Sequence, residues 1–151
     1  MKKIELMHEE SVGVVLAYKP SSTLFNSENA NNEYFLLLRS PGGAWNFVKG
    51  HREENESDYD TLRREIFEET GISDYKILGY LDKIEYEFRK NGIEVKKKVK
   101  FYYANTATYN VLLSKEHMDY IWLKYRQAKR LISFYESKLL LEKLFVSGLS
   151  Y

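Results

Sequence analysis

The chain has 151 residues, 44% hydrophobic and 30% charged, the size and composition of one globular domain with a buried core. Lys plus Arg number 23 and Asp plus Glu 22, a net charge of +1, which speaks against a partner such as long nucleic acid, whose phosphates call for a clear basic excess. There is no Cys, so disulfides, thiol catalysis and zinc–thiolate sites are excluded, and no apolar run approaches the ~18 residues that cross a bilayer.

In chain order, Met1-Lys2-Lys3-Ile4-Glu5 lacks the apolar core of a signal peptide, which together with the absence of Cys suggests a cytoplasmic protein with no membrane partner. Residues 11–18 are β-branched and apolar and predict a buried strand. Residues 19–33, rich in Ser and Asn, predict a long surface loop. Tyr34 to Arg39 reads as a second strand, Pro41-Gly42-Gly43 as a turn, and Trp45 to Val48 as a short extended stretch running into Lys49-Gly50-His51. Ser57-x-x-Asp60 opens a helix that runs to about Thr70 and stops at Gly71. Strands near 75–88 and 96–106 flank an Asn91-Gly92 turn. Ser114 to Tyr120 suggests a short helical turn. Lys124 to Val146 suggests one long amphipathic helix with Ala128, Leu131, Ile132, Tyr135 and Leu139 on its apolar stripe. With no repeat or linker, this order predicts a single α/β domain spanning residues 1–151.

The chemistry concentrates between 50 and 72. With Glu65 set at 0° on a helix, Glu68 falls at about 300° and Glu69 at about 40°, so three carboxylates share one face. Tyr59, Leu62 and Ile66 form an adjacent apolar stripe that can anchor that face to a core. Like charges four apart, such as Glu65 and Glu69, cost roughly 0.2–0.5 kcal/mol. A hard divalent cation such as Mg²⁺ relieves that repulsion and bridges carboxylates to phosphates. Arg64 lies at the edge of the face, where it can hold a carboxylate or meet a phosphate. Glu56 can fold back from the preceding loop, and Gly50 permits close backbone approach. Three Glu on a helix are most often a solvated acidic face. Here seven fixed residues and two aliphatic positions satisfy Gly-x5-Glu-x7-Arg-Glu-aliphatic-x-Glu-Glu-x-Gly-aliphatic, which a random window does with a probability on the order of 10⁻⁹.

This 23-residue stretch resembles the complete signature of the Nudix hydrolases. The resemblance implies an α/β/α sandwich with a mixed sheet, Mg²⁺ or Mn²⁺ held by the helix carboxylates, and attack of water on a phosphorus of a nucleoside diphosphate linked to another group. The metal set would be Glu65, Glu68 and Glu69, with Gly50 and an accessory Glu56. Further segments are similar to asymmetrically cleaving diadenosine tetraphosphate hydrolases: Trp45-x-x-x-Lys49-Gly50-His51-x-Glu53 and Leu113-Ser114-x-Glu116-His117-x-x-Tyr120-x-Trp122-Leu123. In that subfamily's pattern Phe134 sets an aromatic ring against adenine, Phe88 falls close to a usual Tyr, and Lys97 aligns with a phosphate-binding lysine. The chain departs from it at Val48, where Pro is common, and at Gly43-Ala44, where a His often precedes the Trp. Phe88 replaces a Tyr, although Tyr86 lies one strand repeat away on the same face.

The expected machinery is therefore Glu69 or Glu116 as the base, Arg64 beside it, Lys49 and Lys97 on phosphates, and Phe88 and Phe134 on a base. The structural alternatives are a charged strand edge for Lys96, Lys97, Lys98 and Lys100, core packing for the two Phe residues, and helix capping for Glu116. The expected partner is a small nucleotide, foremost diadenosine tetraphosphate cleaved to ATP and AMP. RNA 5′ ends and diphosphoinositol polyphosphates are the alternative substrates. A non-catalytic nucleotide sensor is the alternative of another class, and the intact carboxylate set speaks against it.

Overall fold

The computed structural model describes residues 6–20 and 32–147. Seven strands form one mixed sheet: β1 (Leu6–Tyr18), β2 (Tyr34–Arg39), β3 (Trp45–Asn46), β4 (Val48–His51), β5 (Lys76–Lys90), β6 (Ile93–Thr106) and β7 (Asp119–Leu123). The strand order is β3-β2-β1-β6-β5, with β4 added to β1 and β7 to β2. Among the described strands only β1 and β6 run parallel, from Leu6 opposite Glu94 to Tyr18 opposite Thr106. The described residues also hold three helices: α1 (Asp58–Thr70), α2 (Tyr125–Leu131) and α3 (Tyr135–Ser147). The loop expected over 19–33 lies outside the described residues at 21–31.

Strand alternation divides the core into two layers. Val12, Val14 and Leu16 point to one face and pack with Leu62 and Ile66 of α1. Val15 and Ala17 point to the other and pack with Ala128, Leu140, Leu141 and Leu144 of α2 and α3. The result is the expected α/β/α sandwich. The expected β5–β6 hairpin forms around Asn91-Gly92, both at positive φ.

α1 begins and ends where its sequence says. Ser57 caps it: its hydroxyl accepts from the Asp60 N–H, and the Asp60 carboxylate accepts from the Ser57 N–H. Gly71 closes it at φ 71°, a left-handed conformation that favours glycine. Asp58 then ties the first turn to β6, accepting from the Tyr102 hydroxyl at 2.8 Å and pairing with Lys100 at 3.2 Å.

Two expectations are corrected. Residues 114–120 hold only a tight turn at 115–116 before β7, which pairs with β2 from Phe35–Leu123 to Arg39–Asp119. The alternation of Tyr120 and Trp122 with Ile121 and Leu123 is a strand pattern. The long helix over 124–146 is broken. Ile132 is extended (φ −53°, ψ 129°), and Ser133 exchanges hydrogen bonds with Trp45, its N–H donating to the Trp45 carbonyl and its hydroxyl accepting from the Trp45 N–H. That exchange removes Ser133 from the helical ladder and resets the helix phase. Tyr135, expected on the apolar stripe, is 69% exposed, and Leu139 is also exposed; Ser137, Leu140, Leu141 and Leu144 face the core instead.

Replacing Ser57 with Ala should lower unfolding free energy by about 1 kcal/mol, read from the urea midpoint at unchanged m-value. An unchanged midpoint would mean that the cap does not hold the acidic helix in place.

Candidate functional site

The acidic face of α1 is packed against β4. Glu65 is 7% exposed and Glu69 4%, side by side with Leu62 and Ile66, while Glu68 is exposed. Gly50, opposite Val12 on β1, faces the same side. A Cβ at position 50 would overlap the Glu65 carboxylate. Glycine there is what lets a carboxylate lie against the strand backbone.

Arg64 organises the cluster. Its Nε and Nη2 donate to the two oxygens of Glu56, both at 2.9 Å, and Nη2 also donates to the His51 carbonyl at 2.8 Å. Nη1 donates to Glu65 at 2.7 Å, lies 3.4 Å from Glu68, and is 3.8 Å from Glu53. Glu56 also accepts from the Glu53 N–H and from the Thr61 hydroxyl. The bonds from Arg64, then that from the Glu53 N–H, hold its carboxyl down at about 2. Glu56 thus places Arg64, and Arg64 places Glu65. Burial pushes Glu65 above the usual carboxylate range; Arg64 offsets part of this, while Glu69 and Glu68 add to it.

Glu69 is held from the other side. It accepts from the Ser114 hydroxyl at 3.2 Å and lies 2.5 Å from His117 Nδ1. Glu116, the expected alternative base, is exposed on the 115–116 turn and has no hydrogen bond or ion pair with the described residues. The motif around Ser114 thus brings His117 to Glu69.

The opposite face of β4 is basic. Lys49 lies opposite Gly13, on the α2–α3 side. Burial, then Lys97, lowers its pKa; burial also lowers that of Lys97, with Glu9 at 3.8 Å opposing and Lys90 assisting. His51 is lowered by burial and then by Lys97. Lys49 and Lys97 are incompletely compensated cations, which an anion would stabilise.

Lys49 also reaches a cleft of about 260 Å³ lined by Ile84, Tyr86, Phe101, Phe134 and the polar residues Asn46, Glu136 and Ser137. Phe134 and Lys49 both line it. Phe88 does not line it; Tyr86, whose ring centroid is 6.0 Å from that of Phe88, does. Lys97 pairs with Tyr86 across the hairpin, which places it beside the cleft. Sequence reasoning did not assign His117, Ser114, Asn46 or Glu136. His117 and Ser114 stood within a quoted motif, whereas Asn46 and Glu136 required the true register of α3.

Replacing Gly50 with Ala should displace Glu65 and lower turnover by about 10²-fold, the usual consequence of ~1 Å misplacement at a reacting centre. Steady-state kinetics on variant protein with a normal circular dichroism spectrum would check this, and a wild-type rate would show that Glu65 is not required at that place.

Comparison with known proteins accords with this geometry. The model of the NUDIX domain matches residues 18–142. An asymmetrical bis(5′-nucleosyl)-tetraphosphatase from Mus musculus is 34% identical over 122 residues, covering 77% of this chain and 80% of that protein. An RNA pyrophosphohydrolase from Sulfurovum sp. is 27% identical over 121 residues, covering 70% and 75%. The crystal structure of a C. elegans Ap4A hydrolase binary complex superposes with a TM-score of 0.67 at 23% identity, covering 93% of this chain and 98% of that one. The chain belongs to the Nudix family and is a Nudix hydrolase.

Proposed function

We propose that the protein hydrolyses diadenosine tetraphosphate to ATP and AMP with Mg²⁺ or Mn²⁺. The observation that carries this reading is the junction at Lys49 and Gly50. These consecutive residues of β4 face an aromatic, cationic cleft on one side and the carboxylate cluster on the other. A base in the cleft and phosphates along Lys49 and Lys97 then lead towards Glu65, Glu68 and Glu69. The similarity to an asymmetrical tetraphosphatase supports the same substrate.

The residues fit a hard divalent cation. Glu65, Glu68 and Glu69 offer carboxylate oxygens, Gly50 leaves room beside the strand, and Arg64 pairs with Glu65 and Glu68. Among the described residues no three acidic or histidine groups converge as a ligand set; Arg64 Nη1 contacts both Glu65 and Glu68. The 3.4 Å contact to Glu68 is the weakest of its bonds and the one to open. With Glu56 bound to Arg64, its contribution is to hold that guanidinium. When bound, the cation supplies positive charge to the phosphates and acidifies water.

The chain's own groups do the rest. Tyr86 and Phe134 offer rings for a base. Lys49 and Lys97 hold the phosphates and set which phosphorus reaches the carboxylates; the Phe88 ring lies beside that of Tyr86, 6.0 Å between centroids. Glu69, fixed by Ser114 and His117, or Glu116 from its turn takes the proton of the attacking water, a role that calls for a positioned group. The apolar cleft suits a nucleobase better than an inositol ring. The RNA reading is less favourable because Lys96, Lys97 and Lys98 stand among Glu9, Glu10, Glu85 and Glu87, which dilutes the field along that groove.

Incubation of diadenosine tetraphosphate in ¹⁸O-water should yield ATP and AMP, with the label in AMP; ADP as the main product would overturn the substrate reading. Glu69→Gln should lower turnover at least roughly 10²-fold. Glu116→Gln should lower kcat with little change in KM if Glu116 is the base, and an unchanged kcat leaves that role to Glu69. Because burial and Lys97 depress Lys49, its grip on phosphate should weaken as pH rises through a value below that of an ordinary lysine. KM should therefore rise on the alkaline side, and Lys49→Arg should move that limb to higher pH.

A further inference from the structure

The cleft beside Lys49 carries two polar groups that phosphate handling does not use. Asn46 accepts through Oδ1 from the Ser137 hydroxyl at 2.8 Å and from the Phe47 N–H at 2.9 Å. Ser137 is 2% exposed, so this anchor is fixed in the core. Two donors on the oxygen define the orientation of the amide and leave its NH₂ as the unpaired end. Glu136, in the first turn of α3, lines the same cleft and makes no hydrogen bond or ion pair with the described residues. The rest of the wall is apolar or aromatic apart from Lys49.

The cleft volume of about 260 Å³ falls just under the ~300–1,000 Å³ of sites that hold a drug-sized ligand. It accepts one end of a dinucleotide rather than the whole. A few polar groups set in an apolar pocket give orientation and specificity. Here they are a donor, the Asn46 amide, and an acceptor, the Glu136 carboxylate. The 6-amino edge of adenine has the complementary pair, an N–H donor next to a ring nitrogen that accepts.

We propose that Asn46 and Glu136 read the base in this cleft: Glu136 accepts from the exocyclic amino group, and the Asn46 amide donates to the adjacent ring nitrogen. The inference rests on the nucleotide reading above and adds the residues that select adenine. Glu136 is a specificity residue, distinct from the carboxylates of α1 in face and in role. A charge-assisted bond to a partly open carboxylate gives about tenfold discrimination.

The test compares ATP and purine riboside triphosphate, which lacks only the 6-amino group, as ligands in calorimetry. In parallel, the matching dinucleoside tetraphosphates are compared as substrates. Wild-type protein should favour the amino compound about tenfold. Glu136→Ala should bring the ratio close to one by weakening the amino compound alone. Glu136→Gln, whose amide oxygen still accepts, should keep an intermediate ratio. An unchanged ratio in Glu136→Ala, or an equal loss for both compounds, overturns the proposal. Amino preference in binding without cleavage of the tetraphosphate supports base reading and overturns the substrate assignment instead. A thermal melt of each variant separates loss of recognition from loss of fold.

Discussion

Arg64 lies among Glu53, Glu56, Glu65 and Glu68, with Glu69 one turn beyond Glu65, and is itself only 23% exposed. One guanidinium among these carboxylates cannot neutralise them, but its planar fork of five donors can fix where they stand. Glu56 takes two arms of the fork, so Arg64 cannot swing away; the remaining Nη1 then holds Glu65 beside Gly50. Lysine would supply the charge without the fork. The helix cap at Ser57, the Asp58 anchor on β6 and the bond from Arg64 to the His51 carbonyl all maintain the distance between α1 and β4 on which this arrangement depends. The residual negative charge is the physical support for the proposed divalent cation at this place.

The sheet supplies the second half of the design. Successive residues of a strand point to opposite faces, so Lys49 and Gly50 separate two environments by one peptide unit. On the α1 side carboxylates crowd against backbone. On the α2–α3 side burial disfavours the charges of Lys49 and Lys97, so both gain from meeting an anion. The phosphate chain of the proposed substrate, reaching from one environment to the other, would satisfy both. The apolar cleft at the end of this path owes its shape to the break at Ile132–Ser133, which brings Phe134 and the first turn of α3 to the mouth.

Much of this was legible in the residues, for local reasons. The α1 boundaries followed from Ser57, Asp60 and Gly71, and the shared face of Glu65, Glu68 and Glu69 from helical period alone. The Gly50 requirement is written in the motif, although the reason, space for the Glu65 carboxylate, is a tertiary one. The break between α2 and α3 was not legible because the partner that competes for Ser133 is Trp45, 88 residues away. With that register went Glu136 and Ser137. β7 was obscured by the turn-forming residues just before it. Tyr86 and Phe88 share a face by alternation, and only the packing of α3 over the hairpin distinguishes the ring that lines the cleft. Glu116 and His117 are neighbours in a motif, and the turn at 115–116 directs His117 to Glu69.

On the proposed function, the carboxylates placed by Arg64 form the binding site of a divalent cation. Mn²⁺ titration followed by electron paramagnetic resonance, without substrate, reads that directly. Wild-type protein should remove free Mn²⁺ signal in a saturable way that Mg²⁺ competes away. Glu65→Gln and Glu69→Gln should each weaken binding at least about tenfold, as loss of a ligand charge requires. Binding of equal strength in wild type and both variants would show that these carboxylates do not hold the cation.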